Sequence, residues 1–408
     1  MSILHRPELH VGAEGTVIDT FDAYDVTLDC FQPGNPFTFS LWRSADRRST
    51  WQVIQRECKV GAAVLFRMDG ALLVNGFLQT VSTSVDRENG ALTLVQGRDI
   101  GARALAWDAS PACSFKGLTL EDGLTRLYAD LDIPLIVGAL AEDARSMQTG
   151  ALLSSARVAT RRHRRHHRID RSHPKAGEKV WGYSESMVRR AGLFQWIAPV
   201  EERGTMALVL NRYDYKSPPS YRFERRLVPL TDRFAGNIVR SEETISTADV
   251  PTFVRVYGHC ARGDKFSFRY APGVTNDHLL NEAITRGKVV IPHPKQPRYI
   301  KSQRARTYEE ANQEGDRLIA KTMMGFRRMS VTVQGHSQPS GPSGAQRLYA
   351  INTVATVIDE VLGIHEDMMI HKVQFRGRRQ GGTETTLTLV PLSAVQLSVG
   401  ITEEDSSA

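Results

Sequence analysis

Cysteine is scarce: four in 408 residues, at Cys30, Cys58, Cys113 and Cys260. No two of them form a CxxC or another metal-ligand spacing, so neither a structural zinc site nor a disulfide scaffold is indicated. They read as reduced thiols of a protein assembled in the cytosol. Long apolar runs are missing as well. Pro134 to Ala141 falls far short of the roughly 18–20 residues that a membrane helix needs. The stretch from Ala62 to Leu78 is broken by Arg67 and Asp69. The start, Met-Ser-Ile-Leu-His-Arg-Pro, lacks the basic-then-apolar design of a secretion signal. A soluble chain without membrane insertion is expected.

Signatures of catalysis are absent too. The sequence holds no GxSxG elbow, no HExxH, no P-loop and no GxGxxG in a βαβ context. The acidic pairs Glu201-Glu202 and Glu242-Glu243 read as solvated polar turns. A glycosidase can draw its two carboxylates from distant positions, so a hydrolase stays open as an alternative. No catalytic residue, cofactor or metal site is assigned. The expectation is a protein that is not an enzyme.

What is present is ordinary for a folded chain: 41% hydrophobic and 24% charged residues, enough for two to four domains with their own cores. The first part, 1–108, reads as β-rich. Apolar residues alternate at 24, 26, 28 and 30, and again at Phe37, Phe39 and Leu41, which marks half-buried strands. Asp69-Gly70 between two apolar runs predicts a tight hairpin. Ala91 to Gln96 forms a further strand after a turn at Asn89-Gly90. Regular short strands with Gly turns suggest a barrel or sandwich.

The second part, 109–240, mixes helix and strand. Leu120, Leu124, Leu127, Tyr128 and Leu131 share one helical face. Thr119 and Asp122 resemble a capping box ahead of them. A second helix is expected over about 179–191, with Val180, Tyr183, Met187, Val188 and Ala191 on one side and Gly192 ending it. Leu193 to Ile197 and Met206 to Leu210 read as a hairpin. Between the helices lies a basic insertion, 157–175, that contains Arg161, Arg162, Arg164, Arg165, Arg168 and Arg171 against one acid, Asp170. It has no apolar period and reads as a solvated loop. Those six arginines are a candidate electrostatic contact, to an acidic neighbour in an assembly or to phosphates. No aromatics are interleaved for stacking on single strands. His163, His166, His167 and His173 could converge on a metal, but the arginines would repel a dication.

The third part, 241–395, returns to β with an α/β insertion at about 266–325. Strands are expected at Thr252 to Gly258, Arg328 to Gly335, Ile351 to Ile358, Asp367 to Phe375 and Thr383 to Val390. A capped helix is expected from Thr307 to Ala320, with Thr307 and Glu310 as its capping box. His336 to Ala345 reads as a flexible Ser/Pro/Gly loop, and residues 396–408 as a polar tail. No sequence repeat is visible between the two β parts.

The order of these motifs resembles the baseplate hub proteins of Mu-like and other contractile-tailed phages and related injection systems, over residues 15 to 395. The resemblance rests on Pro36-Phe-Thr-Phe-Ser-Leu, on Asp69-Gly-Ala-Leu-Leu-Val-Asn-Gly, and on Gly97-Arg98-Asp99 with Leu105. It continues through Thr119-Leu120, Gly177-Glu-Lys-Val-Trp, Gly192-Leu-Phe-Gln-Trp, Glu310-Ala311, Val331-Thr-Val-Gln-Gly and Leu387-Thr-Leu-Val-Pro. The basic insertion departs from the pattern, so no role for it is inherited. The resemblance implies an α+β chain with two β-barrel-like tube domains around an α+β domain. Three chains would form a ring that adapts a hexameric tail tube to a trimeric spike. Implied partners are further copies of the chain, the spike, and the tube or distal tail protein, with wedge and tape-measure proteins as further candidates. The implied location is the virion tail baseplate, assembled in the host cytoplasm. A nucleic-acid-binding protein and a tail-associated wall hydrolase are the alternatives.

Overall fold

Alternation of apolar and polar side chains dictates most of the fold. The computed structural model describes residues 5–12, 15–19, 21–42, 48–86, 90–113, 118–138, 173–190, 193–200, 204–211, 213–215, 217–227, 234–246, 253–257, 269–271, 297–301, 315, 318, 322, 324–340, 345–379 and 381–399. The first part gives β1 (Pro7–Val11), β2 (Thr16–Ile18), β3 (Ala23–Asp29) and β4 (Pro36–Trp42). Then come α1 (Arg48–Glu57), β5 (Ala63–Met68), β6 (Ala71–Asp86), β7 (Gly90–Asp99) and α2 (Ala102–Ala106). Tyr24, Val26, Leu28 and Cys30 are all buried, as are Phe37, Phe39 and Leu41. Asp69 and Gly70 turn the β5–β6 hairpin with φ of 52° and 84°. Two successive positive φ values match the right-handed strand twist, and Gly adopts one without steric cost.

The middle part builds α3 (Leu120–Ala129), β8 (Leu135–Val137), α4 (Val180–Arg190), β9 (Phe194–Val200) and β10 (Thr205–Asn211). Thr119 Oγ1 accepts the Asp122 amide at 3.1 Å and donates to its carboxylate at 2.7 Å, the expected cap. All five residues of the expected α3 face are buried. They share a core with Val180, Tyr183, Met187 and Val188 of α4. Strand β10 pairs antiparallel with β9 and parallel with β8. Gly192, the expected stop for α4, lies outside the described residues.

The last part contains β11 (Tyr221–Leu227), β12 (Phe234–Gly236), β13 (Ile238–Ile245), β14 (Phe253–Tyr257), β15 (Arg269–Ala271) and β16 (Pro297–Lys301). It continues with β17 (Arg327–Gln334), β18 (Ser337–Ser340), β19 (Ala345–Leu348), β20 (Thr353–Asp359), β21 (Ile364–Arg378), β22 (Gly382–Pro391) and α5 (Leu392–Val399). Of the helix expected over 307–320, only Gly315 and Leu318 are described, and both are helical. Of the loop expected over 336–345, residues 341–344 lie outside the described residues, and the rest corrects the reading: β18 and β19 pair antiparallel, Pro339 opposite Gln346. A proline is tolerated at a sheet edge because its missing N–H is not needed there. The side chain of Gln338 fixes this hairpin to the Arg222 backbone, accepting at 3.1 Å and donating at 2.8 Å.

Among the described residues, fourteen strands join one predominantly antiparallel sheet. Within it, β3-β4-β7-β6-β5 and β13-β17-β22-β21-β20 run in the same order, antiparallel throughout. In each run the long strand carries a one-residue bulge, at Gln79 in β6 and at His371 in β21. Each run is followed by a short helix, α2 or α5. This repeat of topology joins two stretches between which no sequence repeat is visible.

Candidate functional site: the junction between the two strand runs

The two runs meet where β3 pairs with β21, from Asp29 opposite Lys372 to Ala23 opposite Arg378. On the outer face, Asp25 accepts hydrogen bonds from Gln374 Nε2 at 2.8 and 2.9 Å and from Arg376 Nε at 3.0 Å. On the inner face, Gly377 lies under the Tyr24 ring, where a Cβ would come 2.3 Å from Cε1.

Behind this pair lies a buried polar network. Tyr24 Oη is 2.7 Å from Nε2 of His336, whose Nδ1 is 2.8 Å from Thr385 Oγ1. Thr385 donates to the Gly335 carbonyl at 2.6 Å. His336's own amide donates to Nε2 of His5 at 2.9 Å, and His5 Nδ1 is 2.6 Å from Asp69 Oδ2. One proton assignment satisfies every bond. His5 Nδ1–H donates to Asp69, which leaves Nε2 to accept from the His336 amide. His336 carries its proton on Nδ1 toward Thr385 and accepts from Tyr24 at Nε2. Burial and the neighbouring His5 push the His336 pKa down to about 3, so the ring is neutral. The turn residue Asp69 thus anchors the amino-terminal segment, and also accepts the Arg6 amide at 2.7 Å.

Two further ionic clusters hold the second run. Arg327 lies between Glu243, at 2.8 Å, and Glu366, which it grips with both terminal nitrogens. Burial alone would lower the guanidinium pKa, but the two carboxylates outweigh it and raise it. Arg225 and Ser241 both donate to Asp359. Glu242-Glu243 therefore corrects the sequence reading of a solvated turn. Both residues lie in β13, where the strand period sends Glu242 to solvent and Glu243 inward to Arg327.

The Gly97-Arg98-Asp99 motif is structural. A Cβ on Gly97 would come 2.4 Å from the Phe37 ring. Asp99 is fully buried, accepting from Asn35 Nδ2 at 2.6 Å and from the Gly101 amide at 2.8 Å, at the start of α2. Burial raises its pKa to about 6 against the pull of those donors. At the bulge, His371 stacks on Phe31 with ring centroids 4.5 Å apart. Phe31 continues to Tyr213, and Tyr213 stacks on Phe194 of β9, tying the α+β part to the junction.

The six arginines singled out as a contact, Arg161, Arg162, Arg164, Arg165, Arg168 and Arg171, lie outside the described residues, as do His163, His166 and His167. His173 is described and exposed. Among the described residues no group of three or more His, Cys, Asp or Glu side chains could hold a metal. No described helix is long and apolar enough to cross a membrane. The His5–Asp69–His336–Tyr24 network escaped sequence reasoning because its members stand as far as 331 positions apart and carry no local pattern.

This fold is that of phage and prophage tail proteins. The tail protein from Neisseria meningitidis MC58 matches with a TM-score of 0.69 at 18% identity, over 97% of this chain and 99% of that one. The 43 kDa tail protein of prophage MuSo2 from Shewanella oneidensis matches at 0.67 and 17% identity, over 96% and 99%. Prophage tail protein gp18 from Listeria monocytogenes EGD-e matches at 0.50 and 12%, over 94% of each chain. No protein-family model matches the sequence, and no curated protein does.

Proposed function

We propose that this chain is the structural baseplate hub of a contractile phage tail or a related injection particle, and not an enzyme. The observation that carries the reading is the doubled strand run inside one chain, in a fold shared along nearly its whole length with phage tail proteins. Two similar units side by side let three chains present six similar positions around an axis, which is what an adaptor between sixfold and threefold neighbours requires. In this reading the parts are a tube domain over 1–108, an α+β domain over 109–240, a second tube domain over 241–395 and a tail over 396–408. The tube domains are barrel-like. The partners are two further copies, the trimeric spike, and the tube or distal tail protein. The location is the virion baseplate after assembly in the host cytoplasm. The test is mass photometry and negative-stain imaging of the chain alone and with the spike protein of its particle. A three-chain ring that binds the spike is the expected result. A monomer at high concentration that also fails to bind the spike overturns it.

A further inference from the structure

We propose that the outer face of the three-stranded sheet formed by β14, β15 and β16 binds single-stranded nucleic acid, with successive bases stacking on Tyr257 and Tyr299. The face belongs to neither strand run, so the proposal goes beyond the hub reading and does not rest on it.

The sheet has the order β15-β14-β16. The strand period gives it two unlike faces. Val254 and Val256 are fully buried and join the large core, with Ile300 packed against it. Tyr257, one position on, is 39% exposed, and Tyr299 is 56% exposed. Arg255 stands opposite Tyr270 in β15 and opposite Tyr299 in β16, and Tyr257 stands opposite Lys301. Directly paired positions of neighbouring strands share a face. Positions 255, 257, 270, 299 and 301 therefore lie together on the side away from the core, aromatic and basic in alternation. The thirteen residues of the three strands comprise four aromatics, four Lys or Arg, and no acid.

The rings of Tyr257 and Tyr299 lie side by side, with centroids 6.3 Å apart and planes 31° from parallel. That spacing is far wider than the rise of roughly 3.4 Å between stacked bases of one strand. Two successive bases must part from each other to take one ring each, which a single strand can do and a duplex cannot. Charge selects the same ligand. Residues 253–306 hold eleven Lys and Arg against three Asp and Glu, a local surplus of eight where that of the whole chain is seven. A single strand brings one phosphate with every base, so cations set beside rings match its repeat. An acidic polysaccharide shares the charge but has no aromatic ring to stack.

The test is fluorescence anisotropy on the full chain, with labelled oligo(dT), oligo(rU), a DNA duplex of the same length, and polygalacturonate. Both single strands should bind more tightly than the duplex, with affinity falling steeply as salt rises. Tyr257→Ala and Tyr299→Ala should each raise the dissociation constant roughly fivefold or more. Tyr257→Phe and Tyr299→Phe keep the ring and should leave it within about twofold. Lys301→Ala should weaken binding and reduce the salt slope by about one phosphate contact. Both tyrosines are exposed, so these changes do not put the fold at stake. Binding through the basic insertion at 157–175, which has no aromatic residue, would rest on charge alone and would not register the loss of a ring. Binding indifferent to both alanine variants therefore overturns the proposal. So does tighter binding to the duplex or to polygalacturonate, or no binding to either single strand at low salt. None of these outcomes depends on whether the chain trimerises, so the hub reading stands or falls separately.

Discussion

The phenol of Tyr24 in β3 lies 2.7 Å from Nε2 of His336, 312 positions further along the chain. Both residues are buried, and the bond ties the first strand run to the turn after β17. Replacing Tyr24 by Phe keeps the ring packing and removes only the donor. Nε2 of His336 is then a buried acceptor without a partner, which costs about 1–3 kcal/mol. Urea denaturation should show a lower midpoint with an unchanged slope.

Much of the fold was legible because strands and helices write their period into the sequence. Phe37, Phe39 and Leu41 face one way, and so do Leu120, Leu124 and Leu127. Asp69-Gly70 marked its hairpin because few residues adopt two successive positive φ values. Other features were hidden. Helix α1 is mostly polar, burying Ile54 and then Cys58 after its end, so its period is faint. Residues 337–340 have a loop's composition but pair with 345–348, held to the Arg222 backbone by Gln338. The junction was invisible because Asp25 and Arg376 are remote in sequence, and a topological repeat needs no shared residues. Glu243 shows the limit of reading charge as exposure, since Arg327 comes to it from a neighbouring strand.

Stability should fall in acid through His336. Its folded pKa, about 3, lies below the ordinary histidine value, so between them the unfolded chain binds the proton and the folded chain does not. The contribution is complete above about pH 6.5 and is lost progressively as pH falls toward 3. The groups around it are His5, Asp69, Tyr24 and Thr385. At pH 5 the loss from this residue is about 2 kcal/mol relative to pH 7.5. His371, whose pKa burial also lowers, acts in the same direction. Unfolding free energies across that range, for the wild type and for His336→Gln, check this: the variant should lose about 2 kcal/mol less on acidification.

Arg327 should be among the costliest residues to truncate. Its side chain and that of Glu243 are each 6% exposed. Arg327→Met leaves two acids facing a buried space with no counter-charge, a loss of about 3–5 kcal/mol. Arg327→Lys keeps the charge but not the planar fork that spans Glu243 and Glu366, so its loss should be intermediate. Adding Glu243→Gln to Arg327→Met should recover part of the loss, and a double-mutant cycle in urea measures how much.

Gly377 should not tolerate even a methyl group. The new Cβ would come 2.3 Å from the Tyr24 ring, and the ring cannot retreat, because Phe66 packs against it and its hydroxyl is held by His336. Overpacking of this kind costs about 1–3 kcal/mol. Because Tyr24 is a β3 residue, the strain falls on the pairing with β21. Hydrogen exchange should therefore quicken at Ala23 to Asp29 and Lys372 to Arg378 in Gly377→Ala, while α3 and α4 keep their protection. Equal loss of protection throughout would mean that the junction does not open separately from the rest of the chain.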